Sequence, residues 1–161
     1  ICPGENTSNK TIEKTKEIFT ASGASIVNVK KEIDGFILNR LQGALLNEAM
    51  RLYSDGYASS DEIDATIRDG LGLRWAFMGP FETIDLNAPG GIKDYISRYG
   101  PMYIEMAKNQ TKIPDWSEEA GKKLEIERRK ILGHDELENR AKKRNQLLKS
   151  LRKVKIDNGE A

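Results

Sequence analysis

Apolar positions change their rhythm partway along the chain. In TSNKTIEKTKEIFTASG, residues 7–23, Ile12, Thr15 and Phe19 recur at helical spacing with Ile18 beside them. Thr7 or Ser8 suits the N-cap and Gly23 the C-terminal stop. ASIVNVK, residues 24–30, is short and β-branched, and its pattern predicts a strand. One helix and one strand cannot bury themselves alone. They read as the last αβ unit of a sheet whose other strands lie outside this chain.

Beyond that segment the spacing is helical throughout. Ile37, Leu41, Ala44, Leu45, Ala49 and Leu52 share one wide face, and Gly56 closes that helix. Glu48 projects from the same face, either as a paired structural acceptor or as the edge of a helix contact. Ser59 with Glu62 has the spacing of a capping box, and Gly70 and Gly72 read as the stop of the helix it opens. Pro80 fits the first turn of a short helix. Ile92, Tyr95, Ile96, Tyr99, Tyr103 and Met106 predict another helix, with Gly100-Pro101 as a break or kink. Residues 117–155 read as one or two charged helices interrupted at Gly133, with Asp135 able to cap the second. The thin line Leu147, Leu151, Val154 suits a helix lying on a neighbour or a partner subunit.

Length and composition narrow the classes. A chain of 161 residues with 38% hydrophobic and 32% charged residues is one ordinary domain, or one domain plus a fragment of another. The net charge of +1 argues for no polyanionic partner. Residues 118–161 carry 13 basic against 9 acidic residues, but the signs interleave and no aromatic lies among them, which disfavours nucleic acid. A single cysteine, Cys2, excludes an intramolecular disulfide and zinc sites built on cysteine pairs. His134 is the lone histidine, a poor basis for a Ser-His or Cys-His machine. No metal site is expected. No apolar run reaches membrane length, and the expected compartment is the cytoplasm. The opening ICPGENTSNK has no initiator Met and reads as a cut inside a longer polypeptide.

Two stretches attract chemical attention. In GFILNR, Asn39 lies about one turn into its helix, so its side chain points back toward the helix start. Asn39, Gly43 and Asn47 form one stripe, and a mid-helix glycine costs roughly 1 kcal/mol against alanine. Gly43 therefore suggests that something approaches closely there. The plain structural alternative is that Asn39 bonds a loop and Gly43 admits another helix. In GLGLRWAFMGPFE, residues 70–82, Arg74 sits among bulky apolar residues. Its guanidinium is either paired with a carboxylate of the protein or offered to an anion. The glycines there lack the spacing of a phosphate loop or a dinucleotide fingerprint.

The span KEIDGFILNRLQGALLNEAMRLYSDGYASSDEIDATIRDGLGLRWAFMGPFETIDLN resembles the C-terminal domain of the NAD-dependent 3-hydroxyacyl-CoA dehydrogenases. GF-x-x-NR, the following EA-x-R-L-x-x-x-G and MGPFE carry the resemblance. GLGLRWAF points to the lambda-crystallin / L-gulonate 3-dehydrogenase branch. The similarity covers roughly residues 8–116.

The resemblance implies a mainly α fold. It is a helical bundle of the 6-phosphogluconate dehydrogenase C-terminal-like type, preceded by one helix-strand remnant of a Rossmann domain. Residues 1–31 would be that remnant, 32–116 the substrate and dimerisation domain, and 117–161 a charged helical extension. The glycine-rich NAD site, the catalytic Ser and the His–Glu pair of the family would lie on an N-terminal domain outside this chain, so the chain alone should be inactive.

The implied reaction is oxidation of a 3-hydroxy acid or 3-hydroxyacyl-CoA to its 3-oxo product by a homodimer using NAD. Asn39 would be the active-site asparagine, and Arg74 the receiver of a small substrate's carboxylate. The alternative is a non-catalytic helical dimerisation module or a crystallin-like structural protein.

Overall fold

A computed structural model describes residues 1–160; Ala161, the last residue of the expected extension, lies outside the described residues. The described chain forms two compact units, residues 1–46 and 47–160.

In the first unit, α1 spans Asn9–Ala21. Of the two candidate caps, Ser8 is the one used: its Oγ accepts from the Thr11 N–H at 3.1 Å. At the other end Gly23 takes φ +79° and Ala24 N–H reaches back to the Phe19 carbonyl at 3.0 Å, closing the helix. The strand expected over residues 24–30 is not assigned as one. Two backbone bonds remain of it. Ile1 donates to the Val27 carbonyl at 2.6 Å, and Val29 N–H donates to the Ile1 carbonyl at 2.8 Å. That is one rung of parallel pairing, and a single rung is not a ladder. The β-branched residues have no second strand within the described residues to pair with.

The helix α2 spans Phe36–Ser54 and ends where Gly56 takes φ +76°. In the second unit, α3 spans Ser60–Ala65 and opens on the expected capping box. Ser59 Oγ accepts from Glu62 N–H, and the Glu62 carboxylate accepts from Ser59 N–H at 2.8 Å. The expected stop at Gly70 and Gly72 does not occur. The helix widens into a π-turn, Thr66–Leu71, and runs on as α4, Gly72–Trp75. A Cβ on Gly72 would lie 2.8 Å from the Ile67 carbonyl oxygen. The glycine there admits that carbonyl and lets the widened turn form.

Pro80 opens α5, Pro80–Leu86, as its position predicts. The next helix, α6, spans Gly91–Asn109 and continues through Gly100-Pro101, so of the expected break or kink the break is not made. It packs on α5. A connector leads to α7, Glu118–Ile131, then a 3₁₀ turn, His134–Glu136, and α8, Leu137–Asp157. At that junction Glu136, rather than Asp135, accepts from the Gly133 N–H, at 3.1 Å.

Burial is sparse. The apolar residues below the surface are Met50, Ala88 and Ala120. Large apolar side chains such as Leu38, Leu73, Phe81 and Ile113 stay 70% or more exposed. Leu147 and Val154 of α8 are also exposed, while Leu151 between them is half-buried. Polar contacts fasten the second unit. Glu127 of α7 accepts from both the N–H and the hydroxyl of Ser60 at the start of α3, each at 2.7 Å. Arg128 lies 3.3 Å from Asp64. The connector is tied to α2 by Trp116 Nε1 donating to Asn47 Oδ1 at 3.0 Å, and by Arg51 donating to the Lys112 carbonyl at 3.2 Å.

Candidate functional site

The approach to Asn39 is set by a tight turn. Phe36 N–H donates to the Ile33 carbonyl at 2.9 Å, and Gly35 at the third position takes φ +78°. Glycine is the residue that accepts this conformation without steric cost. Phe36 follows at φ +47°, the one non-glycine residue in the left-handed region among the described residues. Such a conformation costs an L-residue about 1–2 kcal/mol. Two successive left-handed residues swing the chain abruptly into α2. A Cβ on Gly35 would lie 3.6 Å from the Asn39 Cβ and 3.5 Å from the Arg40 Cγ, so the bare α-carbon sits against the first turn.

Asn39 itself is exposed, and its amide has no hydrogen-bond partner among the described residues. The loop bond that would have made it structural is not formed. Gly43, on the same stripe, meets open space where a Cβ would be. Asn47, the third member of the stripe, is consumed by the Trp116 indole. Glu48 is paired within its own helix, accepting from Arg51 Nε at 2.8 Å. The stripe therefore separates into an unengaged end at Asn39 and Gly43 and a structural end at Asn47.

Arg74 sits in α4, just past the π-turn. Its backbone carbonyl accepts from Phe77 and Met78 at 3.0 and 3.1 Å, which fixes the turn toward Pro80. Its side chain is exposed and has no hydrogen bond or ion pair among the described residues. Of the two expectations for it, the internal ion pair is not made.

The helix α6 carries a tyrosine cluster. The Tyr95 and Tyr103 hydroxyls are hydrogen-bonded at 2.8 Å, and the Tyr95 and Tyr99 rings lie 4.7 Å apart. The bond to the Tyr103 hydroxyl, with partial burial, holds the Tyr95 phenol above its ordinary pKa, while the positive charge of Arg74 acts on it in the opposite direction. Sequence reading takes these tyrosines as members of an apolar face. The signal for something more is their i, i+4, i+8 spacing, which stacks three phenols along one side of a helix.

Comparison with known proteins places this geometry. The family of 3-hydroxyacyl-CoA dehydrogenase C-terminal domains matches residues 35–133, which include Asn39 and Arg74. Lambda-crystallin of Oryctolagus cuniculus is 43% identical over 117 residues, covering 73% of this chain and 36% of that protein. L-carnitine dehydrogenase of Pseudomonas putida is 46% identical over 102 residues, covering 63% of this chain and 32% of that protein. The lambda-crystallin homolog of Homo sapiens is 36% identical over 124 residues, covering 77% of this chain and 39% of that protein. The chain thus spans between about a third and two fifths of the length of these relatives. The matched span contains the left-handed pair Gly35 and Phe36, the asparagine stripe on α2 and Arg74 on α4. The chain belongs to the 3-hydroxyacyl-CoA dehydrogenase family, through its helical C-terminal domain.

Proposed function

We propose that this chain is the helical part of an NAD-dependent dehydrogenase that oxidises a small 3-hydroxy acid to its 3-oxo product, and that Asn39 is its contribution to the active site. The single observation that carries this reading is the unengaged Asn39 amide behind a strained turn. Strain of this kind persists where surrounding structure or function requires it. An exposed amide held at a fixed place on a helix can orient a catalytic base or hydrogen-bond the oxygen from which hydride departs. The nicotinamide of NAD supplies the hydride acceptor when bound. No residue of this chain is assigned to hold it, since the chain contains no glycine-rich dinucleotide fingerprint.

Arg74 supports a free carboxylate on the substrate. An unpaired guanidinium beside apolar side chains matches a carboxylate through two parallel N–H donors. An acyl thioester has no such group. L-carnitine, the compound in one relative's name, is a 3-hydroxy acid with a free carboxylate. The many large apolar side chains left exposed on the helices and the open space at Gly43 support a homodimer, which would cover them.

The test uses the complete enzyme. Asn39→Ala should lower turnover about 10²–10³-fold, the usual cost of one oriented donor, with the thermal unfolding midpoint unchanged. Unchanged turnover removes Asn39 from the mechanism. Arg74→Met should cost activity on a hydroxy acid and leave a thioester substrate unaffected. Equal losses on both would defeat the carboxylate role.

The name lambda-crystallin favours a second reading, in which the protein is abundant and structural. Absence of turnover in the complete protein with a panel of 3-hydroxy acids and 3-hydroxyacyl thioesters would support it.

A further inference from the structure

The charges of residues 118–161 interleave on α7 and separate on α8. Between Asn139 and Ile156 the helix α8 carries eight lysines and arginines and no acidic residue. Lys142 is paired with Glu138 at 2.6 Å. Arg140 and Arg144 have no ion pair among the described residues, and Arg144 spends two donors on a neutral acceptor, Asn145 Oδ1, at 3.1 and 3.0 Å. Both arginines line one open groove of about 560 Å³. In chain order its lining is apolar, cationic and apolar again: Leu132 and Leu137, then Arg140 and Arg144, then Leu147 and Leu148.

The shape and the charge of this face narrow what covers it. From Leu137 to Leu148 the helix rises about 16 Å, and Leu151 and Val154 extend the apolar line by about 9 Å. At about 100° per residue, Arg140 falls between Leu147 and Leu151 around the helix, and Arg144 between Leu151 and Leu148. The two cations therefore stand inside the apolar arc and not at its edges. A helix that lies in a membrane surface keeps its charges on the opposite face. Embedding this face would bury two guanidiniums without partners. A second copy of α8 would bring cations onto cations. Like charges four residues apart on a helix repel, and a carboxylate placed between them reverses the sign of that interaction. The forked donors of arginine suit a carboxylate. A helix with apolar anchors at i, i+3, i+4 and i+7 fits a groove of this length.

We propose that the groove on α8 is a docking surface for an acidic amphipathic helix of a partner protein, which seats apolar side chains against Leu132, Leu137, Leu147 and Leu148 and a carboxylate between Arg140 and Arg144. The leucines supply the burial. The two arginines select the sign of the partner and set its register along α8, because the carboxylate has one place to sit. The surface is independent of Asn39 and Arg74, so it stands or falls apart from the dehydrogenase reading.

The experiment titrates the complete protein with two synthetic helical peptides of about 17 residues, the length that matches the apolar line. Both carry leucines along one face. One has glutamates in the central turn of that face and the other has lysines. The glutamate peptide should bind at least about tenfold more tightly than the lysine peptide, and its affinity should fall as salt rises. The double variant Arg140→Glu, Arg144→Glu should invert that preference. A gain of binding to the lysine peptide requires a folded α8, so it separates loss of charge from loss of structure. Leu148→Ser should weaken the glutamate peptide about tenfold while keeping the preference for it. Failure of both peptides to bind, equal affinity for the two, or a preference that survives the double variant overturns the proposal. So does capture of the wild-type protein by phosphatidylglycerol vesicles that the glutamate peptide does not reverse, which assigns α8 to a lipid surface. A sedimentation coefficient that drops in the double variant assigns the face to a second copy and overturns it as well.

Discussion

Two polar regions of this chain are treated in opposite ways. At the start of α3, Ser60 is buried and both its N–H and its hydroxyl are answered, while Arg128 Nη1 at the same junction is buried 3.3 Å from Asp64 without a hydrogen bond among the described residues. The Ser60 N–H and hydroxyl both go to Glu127, whose carboxylate also bonds the Tyr53 hydroxyl. At the start of α2, Asn39 has no hydrogen-bond partner among the described residues and stands exposed behind a left-handed glycine and a left-handed phenylalanine. Folding accounts for the first arrangement, because a buried donor without an acceptor costs about 1–3 kcal/mol. Folding does not account for the second. A left-handed phenylalanine leading to an exposed amide with no hydrogen bond among the described residues is the observation behind the proposal that Asn39 serves the reaction. A saturated polar cluster is thus evidence of architecture, and an unsaturated, strained one is evidence of use.

The sharpest way to break this contrast is to compare the two asparagines of one helix. In the complete enzyme Asn39→Ala should cost about 10²–10³-fold in turnover and leave stability unchanged. Asn47→Ala should do the reverse. It removes the acceptor of the Trp116 indole, so it should cost about 1 kcal/mol in a urea melt and leave turnover within about twofold. Comparable rate losses in both variants would mean that the helix as a whole, rather than the amide at 39, matters to the reaction.

Glycine gives the next test. Gly72 admits the Ile67 carbonyl at the π-turn, and a methyl group there would contact backbone that has no freedom to move aside. Gly72→Ala should destabilise by about 1–3 kcal/mol and, by disturbing the turn, displace Arg74. Gly70 faces open space, so Gly70→Ala should stabilise by about 0.5–1 kcal/mol through the helix propensity gain. Paired denaturation curves check both signs at once. Equal effects would show that the widened turn does not depend on close approach at Gly72.

Much of the fold was legible because it was locally encoded. The Ser59–Glu62 box, Pro80 at a first turn, and Gly23 and Gly56 as helix stops are rules of four residues or fewer, and each appears as read. The misreadings share a cause. Gly70 and Gly72 were expected to stop a helix, yet a π-turn uses its glycine for close approach. Gly100-Pro101 was expected to break or kink α6, and the helix runs on with the proline in its interior, so no break is made. The strand over residues 24–30 was expected from side chains alone, while a strand exists only through what it pairs with.

Of the site, Asn39 and Arg74 were legible as polar residues misplaced in apolar surroundings. Whether they are engaged inside the chain was not, since that depends on contacts far apart in sequence. The phenol pair was hidden for the same reason that Glu127 was: neither the Tyr95–Tyr103 hydroxyl bond nor the Ser60–Glu127 bond leaves a mark on a hydrophobic pattern.

The α3–α7 junction supplies a graded test. Ser60→Ala removes a buried hydroxyl while the backbone bond to Glu127 stays, so about 1 kcal/mol should be lost. A loss within error would mean that the backbone bond alone carries the junction.

The smallest expected effect is in pH, and it follows from the same carboxylate. Hydrogen bonds from the Ser60 hydroxyl, then from the Ser60 N–H, hold the Glu127 carboxyl below its ordinary pKa, with the Tyr53 hydroxyl adding to them and partial burial opposing. A group whose folded pKa is depressed stabilises the fold fully above its unfolded value, about 4.3 for glutamate, and loses that contribution as pH falls through the folded value. Stability should therefore be flat from neutral pH down to about 5 and decline below about 4.3. Glu62, lowered by its bonds to Ser59, declines in the same window, so the wild-type curve alone does not isolate the junction. Glu127→Gln does. It keeps an acceptor oxygen for Ser60 and cannot titrate, so its melting temperature should be lower at neutral pH and fall less steeply on acidification. The gap between the two curves should narrow as pH drops. A constant gap from pH 7 to 3 would show that the Ser60 donors do not depend on the charge of Glu127, and the junction would then rest on shape and neutral hydrogen bonds.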